Sequence, residues 1–150
     1  MNFTRRKVLK FSSLSALLAT LAPAMKAAFA EWSEASFGTT EYDASLKAVI
    51  GDNATQEGGI EIDAPEIASN GATVPITISS DLENIKSISV LVEKNPRPYI
   101  STFYMNDKLE PSVSVRVKMR ETSNVVAIVE TDSGHFMAKQ SVKVTAGGCA

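Results

Sequence analysis

The chain holds one cysteine, Cys149, and one histidine, His135, in 150 residues. A lone cysteine cannot pair internally, so the inter-sheet disulfide of antibody-type domains is excluded. A lone histidine excludes His-rich metal sites, and any Ser-His-Asp triad would depend on His135. That residue lies beside an expected hairpin turn, where a solvated surface position is the plain reading. No G-x-S-x-G, H-E-x-x-H or C-x-x-C motif occurs. Gly58-Gly59 is an isolated pair ahead of a strand, a turn rather than a phosphate loop. Glu57, Glu61, Asp63 and Glu66 alternate with Ile60, Ile62 and Ile67, as on a strand with one solvated face. Arg116, Lys118 and Arg120 read as the outer face of another strand. No metal or cofactor motif remains, so no cofactor is expected. There is also no internal repeat and no low-complexity segment.

Residues 1–30 carry the features of an export signal in order. A basic n-region contains Arg5-Arg6-Lys7-Val8-Leu9-Lys10, which resembles a twin-arginine motif. A Ser- and Ala-rich apolar stretch follows from Phe11 to Ala22, and Ala28-Phe29-Ala30 forms an A-x-A cleavage pattern. The apolar run is well short of the ~20 residues that a spanning helix needs. Cleavage there would leave a periplasmic protein. The segment holds five of the 15 basic residues and none of the 17 acids, so the remaining chain carries a formal charge of −7. That balance excludes a nucleic-acid binder built on a basic face, and charge-driven attachment to anionic lipid. The twin-arginine route moves folded proteins, which suggests assembly with a partner before export.

The rest reads as one domain over residues 31–145, followed by an arm at 146–150. Residues 39–50 predict a helix. Thr39 or Thr40 is positioned to cap, Glu41 and Asp43 fall in the first turn, and Tyr42, Leu46, Val49 and Ile50 share an apolar face that Gly51 ends. Beyond Gly58 the period becomes two. Ile60 and Ile62, then Val74, Ile76 and Ile78, then Ile88, Val90 and Val92, form inward sets. Pro75 predicts an edge position or a bulge. Asn95-Pro96-Arg97-Pro98 breaks the chain, and 99–105 is aromatic and extended. Val113, Val115, Val117 and Met119 alternate cleanly, and 124–131 and 135–145 flank a Ser133-Gly134 turn. About seven short strands predict an all-β, immunoglobulin-like sandwich with a short N-terminal helix. The alternation predicts sheets that each pack on one side only.

Cys149 stands out. An unpaired cysteine in an exported protein points to an intermolecular bond or a working thiol. It follows Ala146-Gly147-Gly148 just past the last strand, where chain ends are poorly ordered and glycines remove both bulk and backbone restraint. The expected result is a thin arm whose thiol reaches roughly 13 Å past Thr145, at ~3.3 Å per residue. Lys143 is the nearest cation in sequence and the Ala150 carboxylate is nearer, so nothing in the arm lowers the thiol's ordinary pKa. Activation would have to come from a partner.

The ending Lys143-Val144-Thr145-Ala146-Gly147-Gly148-Cys149 resembles the C-terminal arm of the SoxY family, the sulfur-carrier subunit of the bacterial Sox thiosulfate-oxidising system. Ala64-Pro65-Glu66-Ile67-Ala68-Ser69-Asn70-Gly71-Ala72-Thr73-Val74-Pro75-Ile76 resembles that family's first strand pair, and Glu93-Lys94-Asn95-Pro96-Arg97-Pro98 its mid-domain turn. The resemblance implies a carrier and not an enzyme, with Cys149 as the covalent anchor for thiosulfonate and persulfide and with Ala146, Gly147 and Gly148 as its arm. It implies a heterodimer with SoxZ, a second small β-protein. It also implies transient docking to a coupling c-type cytochrome, a thiosulfohydrolase and, where present, a molybdenum–haem sulfane dehydrogenase. The family's usual ending has two further glycines after the cysteine, whereas here Ala150 follows. The competing reading is a structural or adhesion-type sandwich joined by a Cys149 disulfide. A hydrolase is disfavoured because no acid–base constellation surrounds His135.

Overall fold

The computed structural model describes residues 37–106 and 108–145, all within the unit Ser33–Ala150. The expected signal segment at 1–30 and the arm at 146–150 lie outside the described residues.

Helix α1 spans Tyr42–Ile50. It starts three residues later than the expected span 39–50: Glu41, expected in the first turn, occupies the N-cap, with extended backbone and no side-chain cap. Thr39 caps a step upstream, its Oγ1 accepting the Glu41 N–H at 3.1 Å. Gly51 ends the helix as expected, at φ 65°, with its N–H on the Lys47 carbonyl.

Nine strands follow: β1 Thr55–Gln56, β2 Ile60–Asp63, β3 Ile67–Ala68, β4 Val74–Ser80, β5 Ile85–Val92, β6 Tyr99–Tyr104, β7 Ser112–Val117, β8 Ser123–Thr131 and β9 Gly134–Val144. The larger sheet runs β1-β9-β8-β5-β6, with β3 also on β9; the smaller runs β2-β4-β7. They form the expected β-sandwich. Val74, Ile76, Ile78 and Val117 from one sheet pack against Ile88, Val90, Val92, Val125, Ala127, Val129 and Val142 from the other.

The larger sheet departs from one-sided packing. Leu91, Val126 and Ile128 are buried on its second face, beneath Tyr42, Leu46, Val49 and Ile50 of α1. The fold is therefore three layers, helix on sheet on sheet. Burial on both faces explains the unbroken apolar run Val125–Val129, since a strand with no solvated face has no polar alternation. Burial of each valine, leucine or isoleucine among them contributes about 1.5–3 kcal/mol.

Pro75 sits where β4 is locally an edge, because β2 ends at Asp63 opposite Thr77, while Arg116 of β7 lies on the other side. The four acids Glu57, Glu61, Asp63 and Glu66 are exposed as expected. Ile67 is not an inward residue: it is 60% exposed, and its neighbour Ala68 is buried instead. The two-residue strand β3 turns its odd position outward, so the alternation that links Ile60 and Ile62 does not extend to it. His135 is half-buried rather than fully solvated, because it opens β9 between Glu130 of β8 and Thr55 of β1.

Candidate functional site

The site is the root from which the chain leaves the sandwich towards Cys149. Ala146, Gly147, Gly148 and Cys149 themselves lie outside the described residues, so geometry is available for what holds Thr145.

β9 is gripped on both edges at its end. On one side it pairs antiparallel with β8, in register from Thr131↔Gly134 to Ser123↔Val142. On the other, β3 pairs parallel, Ile67↔Lys143 and Ala68↔Val144. The Lys143 N–H donates to the Glu66 carbonyl at 2.9 Å and the Thr145 N–H to the Ala68 carbonyl at 3.1 Å. The Val144 N–H donates to Thr122 Oγ1 at 3.0 Å. The last described residue is thus still hydrogen-bonded.

Gly71 closes this corner. The Met119 N–H donates to its carbonyl at 2.7 Å. A Cβ at Gly71 would run into the Met119 carbonyl oxygen and Val144 Cγ1. Asn70 sets the approach, its Oδ1 accepting the Ala72 N–H at 2.9 Å. The Asn70-Gly71 turn therefore serves as a packing contact for β9 as well as a reversal of direction.

Two polar clusters adjoin the root. In the first, Glu93 accepts from Lys139 Nζ at 2.7 Å and from Asn124 Nδ2 at 2.8 Å, and the Lys139 ammonium lies 5.3 Å from the centre of the Tyr42 ring. Burial opposes ionisation of Glu93, but the hydrogen bonds from Lys139 and Asn124 outweigh it and hold the carboxyl below its ordinary range. The hydrogen bond to Glu93 raises Lys139 in turn. In the second, the Asn95 side chain ties two loops together, donating from Nδ2 to the Lys118 carbonyl at 2.7 Å and accepting the Arg120 N–H at 3.4 Å. Beside it lies a groove of about 280 Å³ lined by Asn95, Pro96, Arg97, Lys118 and Arg120.

The sequence marks Asn95-Pro96 only as a break. Its bracing role appears once the loops that follow β5 and β7, one from each sheet, are brought together. The grip of β3 is likewise absent from the sequence pattern, because two residues carry no periodicity. Of the aromatic run, Tyr99 is buried with Phe37 edge-on at 4.6 Å, Phe103 packs into the core, and Tyr104 is 82% exposed on the edge strand β6. His135 lies at the opposite end of β9 from the root. Among the described residues, no three His, Cys, Asp or Glu side chains group as metal ligands would, and no helix is long and apolar enough to cross a membrane.

Comparison with known proteins agrees with this architecture. The family model for sulfur oxidation protein SoxY matches residues 46–149, a span that includes Cys149. The structure of the sulfur carrier protein SoxY from Chlorobium limicola f thiosulfatophilum superposes with a TM-score of 0.63 at 36% identity, covering 69% of this chain and 94% of that one. A superoxide reductase (neelaredoxin) from Ignicoccus hospitalis matches at TM-score 0.52 and 21% identity over 73% of this chain and 99% of that one, a likeness of fold alone. A search of curated proteins gives no match. The family match over residues 46–149 and the 36% identical sulfur carrier structure together show that this chain belongs to the SoxY family.

Proposed function

We propose that the protein is a covalent sulfur carrier in periplasmic thiosulfate oxidation, with Cys149 as the attachment point. The observation that carries this reading is the family match extending through Cys149, on a segment that leaves a firmly held strand end. The similar chain from Chlorobium is itself described as a sulfur carrier protein.

In this reading a coupling c-type cytochrome removes two electrons as the Cys149 thiol and thiosulfate join. The thiol proton is released, and an S–S bond forms to give Cys149–S–S–SO₃⁻. Water then attacks the terminal sulfur in a hydrolase, sulfate and a proton leave, and a persulfide stays on Cys149. The chain performs neither step. It presents the sulfur, and Gly147 and Gly148 keep the approach narrow enough to enter a recessed site. The chain works as a heterodimer with a SoxZ-like small β-protein, and the segment 1–30 exports it by the twin-arginine route. It needs no cofactor beyond the sulfur on Cys149.

Intact-mass spectra of the native protein from thiosulfate-grown cells test this. Reductant-sensitive sulfur or thiosulfonate additions that vanish in Cys149→Ser are expected. A spectrum of free thiol or symmetric disulfide alone, unchanged by thiosulfate, would instead overturn the carrier reading and favour the structural sandwich.

A further inference from the structure

Strand direction sorts the turns into two groups. β4, β7 and β8 are antiparallel to their neighbours, so the β5–β6 and β7–β8 connections lie at the arm-root end with the close of β9. The β4–β5, β6–β7 and β8–β9 connections lie at the far end. Charge follows the same division. The root end carries Lys94, Arg97, Lys118, Arg120 and Lys143, against the unpaired acids Glu66 and Glu121. The far end carries Asp81, Glu83, Glu110 and Asp132, against Lys86 and Lys108, and Lys86 is already paired with Asp132 at 2.9 Å. Among the described residues the ion pairs are Lys47–Asp52, Lys86–Asp132 and Lys139–Glu93, so Arg97, Lys118 and Arg120 enter none. All three are exposed around one groove, braced by Asn95. A chain of net −7 beyond residue 30 thus concentrates half of its ten basic residues at one pole.

Arm length determines what that pole must meet. Cys149 is four residues past Thr145, a reach of roughly 13 Å at ~3.3 Å per residue. Any protein that takes the thiol into a recess must bring its rim against the surface around Thr145. Arg120 belongs to that surface: it is two residues from Thr122, whose hydroxyl accepts the Val144 N–H.

We propose that the Arg97–Lys118–Arg120 pole is the docking face for enzymes that act on Cys149, and that it fits an acidic rim around their active-site entrance. The proposal rests on the carrier reading. The charge separation turns the molecule arm-first during encounter, which acts on association rate more than on the chemistry that follows.

The test uses the full chain as its heterodimer with the small β-protein partner, together with the purified c-type cytochrome that couples thiosulfate, with loading of Cys149 followed by intact mass. Lys118→Glu and Lys108→Glu change the net charge equally at opposite poles. At low salt, Lys118→Glu is expected to lower kcat/KM about three- to tenfold, and the triple variant Arg97→Glu/Lys118→Glu/Arg120→Glu more than about tenfold, with kcat nearly unchanged. Lys108→Glu is expected to stay within about twofold. The differences should shrink between about 0.01 M and 1 M salt as the screening length falls from about 30 Å to 3 Å. Equal rates for the two single variants, or salt-independent rates, would overturn the docking face. Should the triple variant misfold, the single pair decides alone. If the unaltered chain takes up no sulfur adduct at all, the carrier reading itself fails, an outcome distinct from normal loading that ignores charge.

Discussion

Gly71→Ala tests the packing of the arm root. A Cβ there meets Val144 Cγ1 at 2.8 Å and runs into the Met119 carbonyl oxygen. The oxygen belongs to the backbone and cannot rotate aside. Its segment is also bonded to Gly71 itself through the Met119 N–H at 2.7 Å, so widening the gap weakens a hydrogen bond between buried elements. Overpacking of this kind costs about 1–3 kcal/mol. The reduced freedom of an unfolded chain with alanine returns about 0.4–1 kcal/mol, because Gly71 is not among the glycines with positive φ. A net loss of about 1–2 kcal/mol follows, which for a domain of this size lowers Tm by about 3–10 °C. Thermal melting and urea titration read this directly. Amide exchange at Val144 and Thr145 should accelerate beyond the global change, since the displaced contact is with β9. A variant that melts at or above the parent, with Thr145 exchange unaltered, would refute the claim that Gly71 is there for close approach.

Three further outcomes follow from the structure. Glu93→Gln should cost about 1 kcal/mol at neutral pH, a surface-scale value because Lys139 is half-exposed. The Glu93 carboxyl is held below its ordinary value, so its contribution is complete above about pH 4.3 and is lost as pH falls through the lowered folded value. Lys139 is raised, so its share persists up to about pH 10.4 and disappears above that. Denaturation curves of parent and variant should therefore converge at both extremes. Leu91→Ala should cost about 2–5 kcal/mol and loosen α1, visible as selective protease sensitivity near Leu46. On the carrier reading, Gly147→Val and Gly148→Val should leave Tm within about 1 °C while sharply slowing loading of Cys149. Unchanged loading would refute the requirement for a narrow Gly147-Gly148 approach.

Period marks the helix and strands such as β4 and β7 because each has one face that must exclude water, while the aromatic run and the Ser133-Gly134 turn mark β6, β8 and β9. The Tyr42, Leu46, Val49 and Ile50 stripe is the face that lies on the sheet. The surface it covers was harder to find. Leu91 and Val126 occupy the positions that alternation assigns to solvent, and the clue was the absence of polar residues across Val125–Val129. β1 and β3 were invisible because two residues have no period. They exist because β9 offers an open edge, a property of the assembled sheet. The same holds for the root: Gly71, Thr122 and Ala68 are far apart in sequence and ordinary in composition, and only their convergence on β9 gives them a role. Cys149 is singled out by the sequence alone, through being the one cysteine, and lies outside the described residues.

The grip on β9 also has a mechanical meaning. Force applied at Thr145 along the strand, as when a partner draws in the thiol, loads the β8 ladder and the β3 pairs in shear. Hydrogen bonds in shear give way together, whereas a strand peeled from its free edge loses them one at a time. With β8 on one side and β3 on the other, β9 has no free edge at its end from which peeling could begin. If the C-terminal segment is drawn into a partner as the carrier reading requires, the last strand is therefore held against shear on both sides.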